Sequence, residues 1–348
     1  LFTGGVYLAV VWWLNLGLRR NRPVPALGLP AVSVVVAARN EESAIGACLD
    51  ALQAQDYAGE WEVVVVDDRS VDQTAQRVEE RAWGRLKLVR GPTEAPFRCP
   101  KKSALAAGIA QSRGELLLFT DADCQPPPDW VRSTAQLFGP GVGMAVGHAF
   151  PQPVKGIRQQ LLALDNLAVG ALGAGSTGMG RPLSCTGRNL AYRRQVYEEV
   201  GGFAAIGHLI GGDDVYFLRL VSCTSWRMVH NPSLVNCAPG PQGWQALFQQ
   251  KLRHASKAGH YRGPVLLLAG AVYLFHLLLL VGLAGQPGPV LLTVWGARWL
   301  ADLALLARYA PRPSERKLLC HLPFLEVLYI PYVLIFTLVG RLGWFRWK

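Results

Sequence analysis

Apolar and polar positions divide the chain into three regimes. Residues 4–18 are almost wholly apolar, include Trp12 and Trp13, and run straight into Arg19-Arg20-Asn21-Arg22. A membrane span needs about 20 such residues, so residues 1–18 predict an N-terminal membrane helix, short unless further residues precede Leu1. No small-residue cleavage site argues for a signal peptide, and the basic cluster assigns the C-terminal end of this helix to the cytoplasmic side. Residues 19–31, with Pro23-Val24-Pro25 and Leu29-Pro30, read as a linker. At the far end, residues 265–283 and 290–307 predict two spans around the turn Gly285-Gln286-Pro287-Gly288-Pro289. Residues 322–339, broken by Pro331, form a last apolar stretch that crosses, re-enters or lies in the interface. Arg298 and Asp302 stand i, i+4 inside the second span and are expected to pair and face protein. The basic loop 308–317 is expected on the cytoplasmic side.

Between these ends the pattern is strand, loop, helix, repeated. Val32-Ser33-Val34-Val35-Val36-Ala37-Ala38 is a β-branched run, followed by Arg39-Asn40-Glu41-Glu42 and a helix to about residue 55. Glu62-Val63-Val64-Val65-Val66 is a second strand, ending in Asp67-Asp68-Arg69-Ser70 before an amphipathic helix from Asp72. A short strand at 86–89 and a helix at 102–112 precede Glu115-Leu116-Leu117-Leu118-Phe119-Thr120-Asp121-Ala122-Asp123. Alternation of this kind predicts a parallel sheet with right-handed crossovers and a ligand at the C-terminal edge of its strands. Asp121 and Asp123 would sit on that edge. Two anions so close call for a cation between them, and hard oxygen ligands suit Mg²⁺ or Mn²⁺ bridging to a phosphate.

Further along, Pro126-Pro127-Pro128-Asp129 is a rigid turn opening a helix to about residue 138, and 142–147 is another strand. Residues 157–172 read as a membrane-surface helix or a buried core helix, with the Gly- and Ala-rich 170–180 following as a mobile loop. Thr186-Gly187-Arg188-Asn189-Leu190-Ala191-Tyr192 enters a strand, a helix spans 193–200, and Gly211-Gly212-Asp213-Asp214 opens one more. Capping explains one of those carboxylates; Asp214 is a candidate general base. In residues 244–257, Trp244, Leu247, Phe248 and Leu252 share a face, while Lys251, Arg253, His254 and Lys257 lie away from its centre, as in an interfacial helix.

Composition narrows the classes. Half of the 348 residues are hydrophobic, only 17% are charged, and the formal net charge is +11. A mean hydropathy of +0.20 is high for a soluble enzyme. The positive balance points to an anionic membrane surface or phosphorylated substrates. Nucleic acid is disfavoured, because much of the basic charge flanks apolar segments rather than forming a stripe with aromatics. None of the seven cysteines forms a C-x-x-C pair, so buried free thiols are expected. The turn after the first strand has two acids and no glycine, against the G-x-G-x-x-G of a dinucleotide site, and no Walker A loop appears. Asp67 and Asp68 could accept from a base or ribose, with capping as the plainer role; Lys101 and Lys102 could meet a diphosphate.

Taken in order, these residues resemble the family 2 glycosyltransferases over about 32–260. Arg39-Asn40-Glu41-Glu42 and Asp68 resemble the nucleotide-binding positions, Lys101-Lys102 the lysine-containing helix, Asp121-Ala122-Asp123 the metal-binding D-x-D, and Asp213-Asp214 the acidic pair whose second member is the base. Gln250-x-x-Arg253-His254 is similar to the Q-x-x-R-W motif of ceramide glucosyltransferase and the polysaccharide synthases. The resemblance implies a GT-A fold, a Rossmann-like mixed α/β sheet with flanking helices, catalytic over 32–241, with an interfacial helix at 242–262 and a membrane region at 263–348. It implies a nucleotide-diphosphate sugar, preferably a UDP-sugar, near Arg39, Glu41, Asp68, Lys102, Asp121, Gln250, Arg253 and His254. Mg²⁺ or Mn²⁺ would lie on Asp121 and Asp123, Asp214 with Asp213 would be catalytic, and Arg188 and Asn189 would line the acceptor. His254 replaces the Trp associated with the acceptor sugar in the synthases. That favours single-sugar transfer to a membrane lipid, as in ceramide-glucosyltransferase-like enzymes, over a processive polysaccharide synthase. A non-catalytic lipid- or partner-binding membrane protein is the reading from another class. The implied setting is a bacterial inner membrane with the catalytic domain in the cytoplasm.

Overall fold

A computed structural model describes residues 1–21, 25–81, 83–238, 240, 243–256, 263–285, 288–310 and 312–341, except the side chains of residues 253, 254, 256, 264 and 341. The linker residues Arg22, Pro23 and Val24, the turn residues Gln286 and Pro287, and Lys257 lie outside the described residues. So do the side chains of Arg253 and His254.

In chain order the elements begin with α1 (Phe2–Arg20), β1 (Val32–Ala38), α2 (Ile45–Gln53), β2 (Trp61–Asp67), α3 (Thr74–Glu79), β3 (Leu86–Arg90) and α4 (Pro100–Ala110). Next come β4 (Leu116–Phe119), β5 (Cys124–Gln125), α5 (Trp130–Ala135), β6 (Val142–Pro151), α6 (Gly156–Gly178), β7 (Leu190–Arg193), α7 (Arg194–Glu199), α8 (Val215–Val221) and β8 (Arg227–Cys237). The chain ends with α9 (Trp244–Ser256), α10 (Pro264–Ala284), α11 (Pro289–Tyr309), α12 (Pro313–Arg316) and α13 (Leu322–Arg341). They fall into two compact units: Leu1–Leu18 with Pro153–Ala171 and Pro239–Lys348, and Arg19–Gln152 with Leu172–Ala238.

The second unit is built on one mixed sheet in the order β3-β2-β1-β4-β7-β6-β8-β5. β3, β2, β1 and β4 run parallel, β7 is antiparallel to both β4 and β6, and β6 runs parallel to β8. Val34, Val35 and Val36 are all 0% exposed. Burial of successive residues means both faces of the strand are covered, as in parallel sheets. α4 docks closely on this sheet because Gly108 carries no side chain: a Cβ there would lie 2.6 Å from Val35 Cγ1 and 2.8 Å from Val66 Cγ2. That contact fixes the rotation of α4 and hence the aim of the lysines at its start. β8 has no run of alternating hydrophobicity, since Asn231-Pro232-Ser233 interrupts it, and its pairing with β6 is irregular.

The expected mobile loop at 170–180 is instead helix through Gly178. Small residues serve close packing here: Ala174 and Ser176 are buried, and the Ser176 and Thr177 hydroxyls bond back to the carbonyls of Leu172 and Gly173.

Among the described residues of the first unit, three helical stretches are long and apolar enough to cross a membrane: Val265–Ala284, Pro289–Tyr309 and Pro313–Gly340. Pro331 sits inside α13, which continues through it. Phe275, Leu279 and Ile330 form a small core. Arg298 pairs with Asp302 (3.7 Å) as expected, and more closely with Glu326 on α13 (2.6 Å). Tyr7 on α1 donates to Asp302 at 2.7 Å. On α9, Lys251 is held by Asp165 of α6, which also accepts from Tyr329 of α13.

Candidate active site

The loops after β1 and β2 interlock at the C-terminal edge of the parallel strands. Asn40 N–H donates to Ser70 Oγ (3.0 Å), Val71 N–H to Asn40 Oδ1 (2.9 Å), and Glu41 N–H to Thr74 Oγ1 (2.7 Å). Asn40 and Arg69 take left-handed backbone angles, φ 55° and 57°. Such angles in residues other than glycine persist only where surrounding bonds enforce them, and they cluster at functional sites. Asp68 is buried, with Oδ1 paired to Arg69 at 3.0 Å, and Asp67 is paired to Arg90. Arg39 is exposed and Glu41 half-buried. Burial first, then the charges of Asp123 and Asp121, push the Glu41 carboxyl above its usual range, so Glu41 senses the next cluster.

That cluster is a line of alternating charge. Arg188 spans the carboxylate pair, Nε 3.3 Å from Asp121 Oδ2 and Nη2 3.1 Å from Asp123 Oδ2. Lys101 Nζ reaches Asp121 Oδ1 at 2.6 Å and Asp213 Oδ2 at 3.4 Å. Burial opposes the charge on Asp121, yet Lys101 and Arg188 outweigh it and hold the carboxyl below its usual value. Burial likewise disfavours the Lys101 ammonium, and Asp121 with Asp213 overcome this and push it up. Both groups are therefore ionised at neutral pH. Thr120 Oγ1 donates to the Arg188 backbone carbonyl at 3.0 Å, fixing the loop that carries the guanidinium.

Gly187 lets the acidic pair approach. A Cβ there would lie 3.2 Å from Asp213 Oδ2, 3.5 Å from Lys101 Nζ and 4.0 Å from Asp214 Cβ. Asp214 caps α8, its Oδ1 accepting from Val215 N–H at 2.6 Å. Lys101, Asp121, Gly187 and Asp213 line one cleft, floored by Phe119, Leu190 and Tyr192.

Two expected residues are employed elsewhere. Lys102 is fully buried, donating to the carbonyls of Ile206 (2.6 Å) and Leu209 (3.0 Å), so its ammonium cannot meet a diphosphate. It shares a helix face with Leu105 and Ile109, both buried, and that spacing could have shown that Lys101 is the lysine in the cleft. Asn189 is also buried. It donates to His148 O (2.9 Å) and Ser233 O (2.7 Å) and accepts from Trp130 Nε1 (3.0 Å), leaving no edge for an acceptor. Arg188, expected at the acceptor, lies on the D-x-D carboxylates. Gln250, half-buried on α9, belongs to the other unit. Gly187 and Cys237, whose Sγ accepts from Arg188 Nη1 at 3.4 Å, carried no signal beyond their neighbours in sequence.

The donor set fits a hard divalent cation. Mg²⁺ and Mn²⁺ sites of this kind use one or two carboxylates and complete their shell with water and substrate phosphate. Asp121 and Asp123 supply two carboxylates whose negative charge already gathers two cationic side chains. Among the described residues no group of three or more His, Cys, Asp or Glu side chains forms a fuller cage. Burial, then Asp121 and Asp123, push the Cys124 thiol up; it stays protonated and donates to Asp123 Oδ1 at 3.3 Å.

Comparison with known proteins identifies the family. The family model for Glycosyl transferase family 2 matches residues 33–201. Glycosyltransferase AglE of Haloferax volcanii is 30% identical over 223 residues, covering 61% of this chain and 67% of that protein. The chain belongs to glycosyltransferase family 2. A β-monoglucosyldiacylglycerol synthase of Synechocystis is 36% identical over 112 residues, 31% of this chain and 23% of that protein. A mannosyltransferase from Pyrobaculum calidifontis, solved in complex with GDP-Man and Mn²⁺, has the same fold: TM-score 0.61 at 23% identity, over 98% of this chain and 95% of that one. This family 2 glycosyltransferase thus has a GT-A sheet, and the family match, residues 33–201, holds the interlocked loops, Lys101, Asp121, Asp123 and Arg188 but not Asp213.

Proposed function

We propose that this family 2 enzyme is an inverting transferase that moves one sugar from a nucleotide-diphosphate sugar to the hydroxyl of a membrane lipid. The observation that carries the reading is the charge line from Asp123 through Arg188, Asp121 and Lys101 to Asp213, set beside Asp214 at the sheet edge. The lipid acceptor is supported by the relative named for diacylglycerol glycosylation and by three helices apolar enough to span a bilayer. The proposed organisation is a membrane helix at 1–18, a linker at 19–31, the catalytic domain at 32–241, an interfacial helix at 242–262 and a membrane region at 263–348. The catalytic domain would face the cytoplasm of a bacterial inner membrane, in keeping with the basic loop 308–317.

In this reading Arg39, Glu41 and Asp68 border the nucleoside, and Lys101 takes the diphosphate-facing role first expected of Lys102. Asp121 and Asp123 would hold Mg²⁺ or Mn²⁺, which offsets the negative charge growing on the leaving diphosphate. Asp214 accepts the proton of the lipid hydroxyl while its oxygen bonds to the anomeric carbon and the bond to the diphosphate breaks. A single displacement from the opposite face inverts that carbon. Asp213, held by Lys101, fixes the approach of its neighbour.

The test is a panel of UDP- and GDP-sugars offered to the purified protein with membrane lipid extract, read by mass spectrometry. One hexose increment on a lipid, lost with EDTA and restored by Mn²⁺ or Mg²⁺, is expected. A ladder of increments would instead mean a polysaccharide synthase, and D214N turning over at the wild-type rate would remove the base assignment.

A further inference from the structure

All four carboxylate oxygens of the D-x-D pair are engaged in the structure. Asp121 Oδ1 accepts from Lys101 (2.6 Å) and Asp121 Oδ2 from Arg188 Nε (3.3 Å). Asp123 Oδ2 accepts from Arg188 Nη2 (3.1 Å), and Asp123 Oδ1 from the Cys124 thiol (3.3 Å). Among the described residues Arg188 is the one side chain that bonds both carboxylates, and its third nitrogen is turned to Cys237 Sγ. A divalent cation held by Asp121 and Asp123 would carry the same sign of charge as this guanidinium and would compete with it for the two carboxylates.

We propose that Arg188 is an internal counter-ion that guards the metal site and is exchanged onto the donor diphosphate when metal and donor bind. This rests on the metal reading above and adds the order of events. A guanidinium leaving a carboxylate pair in a half-buried site needs another anion, and a diphosphate offers oxygens in the forked geometry that arginine matches. Metal alone would strip Arg188 of its partners and leave it facing a dication. Nucleotide alone would meet carboxylates already neutralised but still crowded. Bound together, each ligand takes one of the partners that the other releases, so their binding is positively coupled. Coupling of this type is reciprocal: nucleotide raises metal affinity by the factor by which metal raises nucleotide affinity.

Lys101 does not share this function. It is a point charge shared between Asp121 and Asp213, and it leaves Asp123 untouched. The site also tolerates the test, because the loop is anchored through the Arg188 backbone carbonyl and not its side chain.

The experiment measures Mn²⁺ binding to the full detergent-purified chain by electron paramagnetic resonance of the free ion, with no nucleotide and with UDP or GDP. Wild type, R188Q and R188K are compared. Without nucleotide, R188Q is expected to bind Mn²⁺ at least about 10-fold tighter than wild type, within the usual range of coupling factors. The enhancement of Mn²⁺ binding by nucleotide should shrink in the same variant. R188K keeps the charge without the fork and should fall between; if R188Q melts far below wild type, R188K alone decides. Unchanged or weaker Mn²⁺ binding in the well-folded variants, with wild type still binding Mn²⁺ beside nucleotide, overturns the counter-ion role and leaves the metal reading standing. Absence of Mn²⁺ binding in every protein and condition overturns both.

Discussion

Lys101 Nζ stands 2.6 Å from Asp121 Oδ1, and through this contact the start of α4 is tied to the D-x-D turn after β4. Its neighbour Lys102 points the other way, into carbonyls of the segment after α7. Adjacent lysines on one helix turn thus have separate duties, and substitution should separate them. K101M should lower transfer roughly 10- to 100-fold, the worth of a charge-assisted hydrogen bond. K102M should destabilise by about 1–3 kcal/mol for each carbonyl left unpaired. Initial rates and thermal melts on both variants check this, and a stable K102M with a large activity loss would reverse the assignment.

What was legible in the sequence followed from physics that acts locally. β1 and β2 announce themselves because Val34–Val36 and Val63–Val66 are too apolar and too β-branched for anything but a doubly covered strand. The D-x-D and the Asp213-Asp214 pair are visible as acids where strands and turns end. The direction of a side chain is a tertiary fact and was not visible. The spacing of Lys102 with Leu105 and Ile109 is a local sign that it shares the buried face of α4, but the seat that Gly108 gives the helix is what aims Lys101 at the acids, and nothing local tells Arg188 from Asn189 as the residue that faces them. β8 was missed because its ladder is held by long-range pairing through an irregular Asn231-Pro232-Ser233 segment.

Asn189 gives a second test of that distinction. N189A would leave Trp130 Nε1 and the carbonyls of His148 and Ser233 without their partner in a buried site. Each unsatisfied group costs about 1–3 kcal/mol, so a large fall in thermal midpoint is expected. The folded fraction should retain the wild-type KM for acceptor. A changed acceptor KM at unchanged stability would return Asn189 to the acceptor surface.

Glu41 predicts a pH effect with a definite sign. Burial, then Asp123 and Asp121, raise its carboxyl above the usual value of 4.5, so between that value and the raised one the folded state binds the proton more readily than the unfolded state. Stability from this group is therefore present at mildly acidic pH and lost as pH rises through the folded-state pKa. Asp121 acts oppositely: its lowered pKa contributes stability above 3.8 that is lost on acidification through the folded value. E41Q should remove the first slope and keep the second. Thermal midpoints of wild type and E41Q across the acidic to neutral range measure it, and identical curves would sink the idea.

The buried charges of the apolar helices yield the last prediction. Arg298 is 2% exposed and lies 2.6 Å from Glu326, so the pair joins α11 to α13 where charge is costly. Its value should not be read from removing one member. R298M leaves Glu326 buried without its cation, and breaking such a pair costs about 3–5 kcal/mol. Replacing both with apolar groups of similar size removes the attraction and the desolvation penalty together, which is often near neutral. Asp302 also pairs with Arg298, at 3.7 Å, and without that cation keeps only the Tyr7 hydroxyl at 2.7 Å. R298M and E326M alone should each lower the thermal midpoint in detergent sharply, and R298M/E326M should recover part of the loss, the remainder being the cost of leaving Asp302 without its cation. Additive losses in that double-mutant cycle would mean that the two residues act independently and that α11 and α13 are held by apolar packing instead.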